Sequence, residues 1–255
     1  MFIDTHCHIS LDDYDDIDLL IKNIKNSGVN YIIVNGTSKD SNEFVLELVK
    51  KYDIVYGALG FHPTELDLVT EDDFLWLDKH INDEKIVAVG EIGLDYHYDN
   101  TDKEKQMWAF EKQLEIASKY SKPVIIHTRD SIGDTYDTVK KYTLTGSIHC
   151  FSGSLEMAMN FIKLGYKIGV GGVVTYKNAK NIVNVIKNVD LEYILLETDA
   201  PYLAPEPKRG EKNSSCNIPI IAKKIADLKG VSVALVGKVT TENAIELFDF
   251  FKILC

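Results

Sequence analysis

The chain has 255 residues, 45% apolar and 26% charged, the composition of a globular protein with room for one sizeable core. With 28 basic and 39 acidic residues its formal charge is −11, which excludes a passive nucleic-acid binder but not an enzyme whose bound divalent cations reverse the charge locally. No apolar run approaches a bilayer-spanning length, and MFIDTH has neither region of a signal peptide, so a cytoplasmic protein without a membrane or an obligate protein partner is expected.

Taken in order, short apolar strands alternate with amphipathic segments. A strand at Phe2–Asp4 precedes a helical pattern over Ile17–Asn26. Strand Tyr31–Val34, helix Ser41–Lys51, strand Ile54–Ala58, helix Asp72–Ile81 and strand Ile86–Val89 follow. Helix Lys103–Lys119 contains QMWAFEKQLEIA, whose apolar spacing fits a period of about 3.6 residues. Strands Val124–Ile126 and Ser147–Ile148 come next, then helix Leu155–Leu164, strand Lys167–Ile168, helix Ala179–Lys187 and strand Tyr193–Leu196. Helical regions over Ile218–Lys229 and Val233–Phe250 close the chain. Eight strand–helix units predict an α/β fold, a single-domain (β/α)8 TIM barrel over residues 1–255.

The polar residues cluster where the strands end. Asp4-Thr5-His6-Cys7-His8 follows the first strand, Gly60-Phe61-His62-Pro63 the third, Glu91 and Asp95 the fourth. His127, Arg129 and Asp130 follow the fifth, His149 the sixth, Glu197 and Asp199 the eighth. In a barrel these positions converge on one mouth. Five of the seven histidines fall there. His6 and His8 stand two apart on an extended segment, so their imidazoles share a side and can share a metal. Cys7 then points the other way, as a small buried residue. Cys7, Cys150, Cys216 and Cys255 form no CxxC and are expected as free thiols. Glu91 and Asp199 end apolar runs, where an ionised carboxylate is costly unless paired or metal-bound. Asp95 and Glu197 stay open between ligand and salt bridge. His80 and His97 read as surface residues.

These stretches resemble the TatD-type metal-dependent deoxyribonucleases, a branch of the amidohydrolase-like barrels. The resemblance rests on IDTHCH (3–8), GFHP (60–63), GEIGLDY (90–96), PVIIHTRD (123–130), HCFSG (149–153), ETDAPYLAP (197–205) and RGEKN (209–213), in order along nearly the whole chain. Two stretches depart from the family pattern: Gly171 stands where serine is commoner, and NSSCNIP (213–219) differs from the usual asparagine–acid–proline run. The resemblance implies two divalent cations, magnesium, manganese or zinc. His6, His8, Glu91 and Asp199 would hold the first; Glu91, His127 and His149 would hold the second, with Glu91 as the bridge.

The implied reaction is hydrolysis of DNA phosphodiester bonds, exonucleolytic on single strands, with RNA as a related substrate. Asp199 would orient the attacking water and take its proton. Arg129 would clamp a phosphate oxygen. Arg209, with Lys208 and Lys212, forms a basic cluster that reads either as backbone contact or as a solvated loop. His62 reads as a substrate contact or as support for the metal ligands. Tyr202, Phe61, Tyr96 and Phe151 are candidates to stack bases, against plain packing. Gly169, Gly171 and Gly172 read as room for close backbone approach. Thr5, Thr128 and Ser152 have no base pattern of a serine hydrolase. The rival reading is a small-molecule amide, lactone or phosphoester hydrolase on the same barrel.

Overall fold

Parallel pairing carries the chain from strand to neighbouring strand in sequence order. The computed structural model describes residues 1–250; Cys255 and the final stretch of the expected 1–255 barrel lie outside the described residues. Strands β1 (Phe2–Cys7), β2 (Val29–Asn35), β3 (Val55–Leu59), β4 (Ile86–Asp95), β5 (Val124–Arg129), β6 (Gly146–Ile148), β7 (Tyr166–Val170) and β8 (Ile194–Leu196) form one eight-stranded parallel sheet in the order β1 to β8. Helices α1 (Ile17–Asn26), α2 (Lys39–Lys51), α3 (Glu71–His80), α4 (Lys103–Tyr120), α5 (Ile132–Val139), α6 (Leu155–Lys163), α7 (Lys180–Asn188) and α8 (Ile218–Lys229) follow the strands in turn, and α9 (Val233–Phe248) ends the described chain. Among the described residues no helix is long and apolar enough to cross a membrane.

Several helix starts are set by side-chain caps. Asp16 accepts from Leu19 N at 2.8 Å, Asp102 from Lys105 N at 3.0 Å, and Ser232 from Leu235 N at 3.1 Å. Each satisfies an otherwise orphaned amide of the first turn. The helix α5 was hidden in the sequence. Its run IGDTYDTV is rich in β-branched residues, and it buries Thr135 and Thr138 where an apolar stripe would normally show. Thr138 Oγ1 donates to Asp134 O at 2.8 Å, so the hydroxyl is satisfied within the helix.

The strands also run further than their apolar segments suggest. Glu91 and Asp95 lie inside β4, and His127 and Arg129 inside β5, with Gly93 opposite His127 and Asp95 opposite Arg129. A register shift between Val89 and Ile92 marks the place where β4 turns from apolar to polar. Glu91, Asp95, His127 and Arg129 are therefore held on sheet strands rather than on free loops.

Two apolar layers flank the strands. The outer one lies between sheet and helices, with Phe110, Phe161 and Leu77 fully buried. The inner one fills the lower barrel: Ile3, Ile33, Tyr56 and Ile125 meet Phe248 and Phe250 at the end of α9. Full burial of one such side chain contributes about 1.5–3 kcal/mol. α9 thus plugs one end of the barrel and leaves the other open.

β8 and β1 close the barrel through polar contacts rather than a ladder. An isolated bridge joins Cys7 to Ala200. The Asp4 carboxylate accepts from Thr198 N at 3.0 Å and from Thr198 Oγ1 at 2.6 Å, and Thr5 Oγ1 donates to Leu196 O at 3.1 Å. Burial pushes the Asp4 carboxyl up to about 7 against these hydrogen bonds.

Candidate metal centre

The β1–β8 seam brings the first and last polar motifs together. Asp199 N donates to His6 O at 2.9 Å, and His8 N to Ala200 O at 2.7 Å. Asp199 sits at φ 56, in the left-handed region that aspartate tolerates better than most residues. The strand alternation places His6 and His8 on one side, with their Nε2 atoms 3.1 Å apart. Cys7 between them is buried on the opposite side, its Sγ donating to Ile33 O at 3.5 Å.

Glu91 stands at the centre, and its two oxygens face different imidazoles. Oε2 lies 3.3 Å from His6 Nε2 and 3.4 Å from His8 Nε2. Oε1 lies 2.9 Å from His127 Nδ1 and 3.6 Å from both His62 Nε2 and His149 Nε2. Asp199 Oδ1 completes the first group at 3.6 Å from His6 and His8 and reaches His149 at 3.7 Å. Three triads, His6–His8–Glu91, His6–His149–Asp199 and His62–Glu91–His127, each hold their potential ligand atoms within 4.8 Å of one another. Bringing so many donor atoms together in a buried site is costly without a cation, and the donor set of imidazoles and carboxylates fits a divalent metal.

The far sides of the imidazoles are anchored unequally. His127 Nε2 meets Asp95 Oδ2 at 3.0 Å, and His149 Nδ1 faces Glu197 Oε1 at 3.3 Å. His8 Nδ1 meets a backbone carbonyl, Asn35 O, at 2.9 Å. His6 Nδ1 is buried without a hydrogen-bond partner among the described residues. Asp95 therefore acts from behind the cluster, fixing the orientation and tautomer of His127, while Glu197 stands behind His149 as a charge partner that makes no hydrogen bond to Nδ1. Asp95 is itself held by Gln106, whose Oε1 accepts from Asp95 N at 2.8 Å and whose Nε2 donates to Asp95 O at 2.9 Å. Two helical turns further, Gln113 brackets Phe61 in the same way, with Oε1 2.7 Å from Phe61 N. Asn42 on α2 brackets Gly60, and together these amides fix the turn that carries His62. Amides punctuating an apolar helical stripe were the signal for these residues.

Electrostatics divide the imidazoles further. Burial opposes charge on His8, but Asp199 and Glu91 outweigh it and raise the ring to about 10. Burial likewise opposes charge on His149, and Glu197, Asp199 and Glu91 raise it to about 9. His62 is the reverse: burial, only partly offset by Glu91, lowers it to about 3 and keeps it neutral. Burial alone would raise Glu91, yet the surrounding imidazoles hold it well below the ordinary carboxylate range.

Above the cluster opens a cavity of ≈ 560 Å³. Of the expected substrate contacts, Arg129, His62 and Tyr202 line it. Tyr202 is 60% exposed, and its ring lies 6.3 Å from that of His8. Asn213 secures its loop, donating to Thr198 O at 2.9 Å and to Tyr202 O at 2.6 Å, so the divergent NSSCNIP run begins with a residue that shapes the mouth. Arg209 is not among the residues that line the cavity: its guanidinium lies 4.5 Å from the Tyr176 ring centroid, while Lys208 bonds Asn217 and Lys212 bonds Asp13 O. Phe61 and Phe151 are buried as packing, and Tyr96 bonds Asp134 outside the mouth. Tyr98, which no motif singles out, lines the mouth instead. His80 and His97 pair with Asp83 and Asp130, away from the cluster.

A parallel eight-stranded barrel with five imidazoles and two carboxylates converging at one mouth defines a metal-binding α/β-barrel protein. Comparison with known proteins gives the family. The model of the family described as TatD related DNase matches residues 3–249. The uncharacterized metal-dependent hydrolase YabD of Bacillus subtilis (strain 168) is 37% identical over 252 residues, covering 97% of this chain and 99% of that protein. The uncharacterized metal-dependent hydrolase YjjV of Escherichia coli (strain K12) is 35% identical over 253 residues. The crystal structure of YjjV, a TatD homologue, superposes with a TM-score of 0.92, covering 97% of this chain and 98% of that one. The organophosphorus hydrolase from Deinococcus radiodurans, 12% identical with a TM-score of 0.64, shares the fold alone. The chain belongs to the TatD family of metal-dependent hydrolases.

Proposed function

We propose that the chain is a two-metal phosphodiesterase that cleaves DNA, removing nucleotides from the end of a single strand in the cytoplasm. The observation that carries this reading is the division of Glu91, with Oε2 toward His6 and His8 and Oε1 toward His127 and His149. That is the placement of a carboxylate that bridges two cations. His6, His8, Glu91 and Asp199 would hold one, and Glu91, His127 and His149 the other. Bound divalent cations of this kind, magnesium, manganese or zinc, supply Lewis acidity that favours an attacking water and neutralises charge developing on phosphorus.

The residues of the chain do the rest. Asp199 is held ionised by His149, His8 and His6 despite its burial, and it faces the mouth, where it can accept the proton of the attacking water. Asp95 keeps His127 in a fixed orientation, and Glu197 places negative charge behind His149. Arg129 offers its planar donors to a phosphate oxygen. Tyr202 flanks the scissile group beside His8. Neutral His62 bonds Thr64 Oγ1 at 2.8 Å through Nδ1 and turns Nε2 toward the cluster, where it can contact substrate.

A second reading, hydrolysis of a small amide, lactone or phosphoester, is favoured by one observation. Asp13 and Glu65 line the mouth, and Arg129 is the one Arg or Lys among its lining residues. The test is hydrolysis of end-labelled single-stranded DNA by wild type and His127→Ala with magnesium, manganese, zinc or chelator, beside a panel of esters and lactones. Metal-dependent shortening from one end, lost in the variant, is expected. Turnover of lactones or esters alone, with fold and metal content intact, would overturn the nuclease reading in favour of the second.

A further inference from the structure

The mouth does not end at its own cavity. A second groove of ≈ 370 Å³ adjoins it and shares Thr64 and Tyr98 with it. Its walls are the loop after β3, with Pro63 and Asp67, and the loop after β4, with Asn100 and Thr101. Tyr98 stands on the boundary, 53% exposed, with the Arg129 guanidinium 5.7 Å from its ring centroid. Resting on the nuclease reading, we propose that this groove is a nucleobase subsite, in which Tyr98 stacks the base of the nucleotide adjoining the one held at the metal cluster.

The chemistry of the groove selects for a base rather than a phosphate. Its charged groups are two carboxylates, Asp67 and Asp102, against one ammonium, Lys105. Lys105 Nζ already donates to Asp67 O at 2.9 Å, and Asp102 is engaged as the α4 cap by Lys105 N at 3.0 Å. An added anion meets net negative charge there. Gln106 is committed to Asp95 and Pro63. Asn100 offers an amide, which can donate and accept along the edge of a planar ring, and Thr101, whose hydroxyl donates to Asp95 O at 3.5 Å, offers an acceptor oxygen. Anion recognition falls to Arg129, which lines the mouth side of Tyr98. The connecting phosphate is thus read by a guanidinium and the next base by the tyrosine it braces. Stacking accepts any base, so the subsite gives strand length rather than sequence preference.

Oligonucleotides carrying one abasic residue, moved stepwise away from the scissile bond, test this directly. Cleavage by wild type, Tyr98→Phe and Tyr98→Ala is compared in magnesium or manganese. Wild type and Tyr98→Phe are expected to lose about tenfold in kcat/KM when the abasic residue reaches one particular position. Tyr98→Ala should lose about tenfold on the intact strand and be indifferent to the abasic residue at that position. Intact-strand cleavage by Tyr98→Ala at the wild-type rate, or the same positional loss in all three proteins, would overturn the subsite and leave the nuclease reading standing. A wild type that shortens no strand in any metal would remove the nuclease reading and the subsite with it.

Discussion

The two ends of the barrel interior are lined by the same strands and filled with opposite chemistry. At the closed end Ile3, Tyr56 and Ile125 pack on Phe248 and Phe250, and burial there stabilises the fold. At the open end β1, β4 and β5 carry His6, Glu91 and His127. There burial works against the fold. His6 Nδ1, Asn35 Oδ1, His149 Nδ1 and Glu197 Oε2 are buried without hydrogen-bond partners among the described residues. Each such atom costs on the order of 1–3 kcal/mol. One end holds the barrel together and the other spends some of that stability on a site.

Removing the carboxylate at the centre of the cluster should have the largest effect. Glu91→Gln keeps shape but removes the charge shared by both groups of imidazoles. A loss of about 10³-fold or more in kcat/KM is expected, because a cation cluster supplies several kcal/mol at the transition state. Thermal stability of the metal-free variant should stay near or above that of wild type. A metal-free variant that unfolds would show that Glu91 also belongs to the structural end of the comparison.

The opposite pattern is expected for Phe248→Ala. Deleting a buried ring from the plug costs about 3–5 kcal/mol in urea unfolding. Activity per folded molecule should remain, since the plug packs on Ile3, Ile33, Tyr56 and Ile125, none of which lines the mouth. Activity lost in proportion beyond the unfolded fraction would mean the two ends are coupled. Metal removal is a smaller step in the same direction. At 100-fold excess over Kd a bound cation adds about 2.7 kcal/mol, so a chelator should lower Tm in wild type and change little in Glu91→Gln. Asp95→Asn sits lower again. It leaves the ligand set intact but weakens the anchor of His127, and about 10–100-fold weaker metal binding by titration calorimetry is expected.

The closed end was the more legible in the sequence, because apolar alternation and helical period report burial directly. The residues of the candidate cluster were legible too, since His6, His8, Glu91, His127, His149 and Asp199 all follow short apolar runs. What escaped depended on partners far away in the chain. Asp95 faces His127 only because of the β4–β5 register, and Glu197 faces His149 across β7. The glycines of VAVGEIGLD made β4 look finished at Val89, although it continues to Asp95. Gln106 and Gln113 lay inside a helix read for its apolar residues. Tyr98 lay in a loop whose neighbours at the mouth only the fold supplies.

The smallest predicted effect sharpens the boundary between the two ends. Gly169 and Gly171 lie close together on the β7 exit, and the sequence suggested close approach at both. The structure separates them. A Cβ on Gly169 would come within 2.3 Å of Glu197 Oε2, so Gly169 is the space in which that carboxylate stands behind His149. A Cβ on Gly171 would meet nothing nearer than Glu197 O at 3.7 Å, an ordinary contact. Gly171→Ser should therefore restore the residue commoner in the family at a cost within about 0.5 kcal/mol, with metal affinity unchanged. Gly169→Ala must instead displace Glu197 and loosen His149, and its metal affinity should fall with that of Asp95→Asn. Calorimetric metal titrations of the two variants, run beside urea unfolding, separate these outcomes. Equal losses in both would place Gly171 in the site after all, with Glu197 no longer the group that distinguishes them.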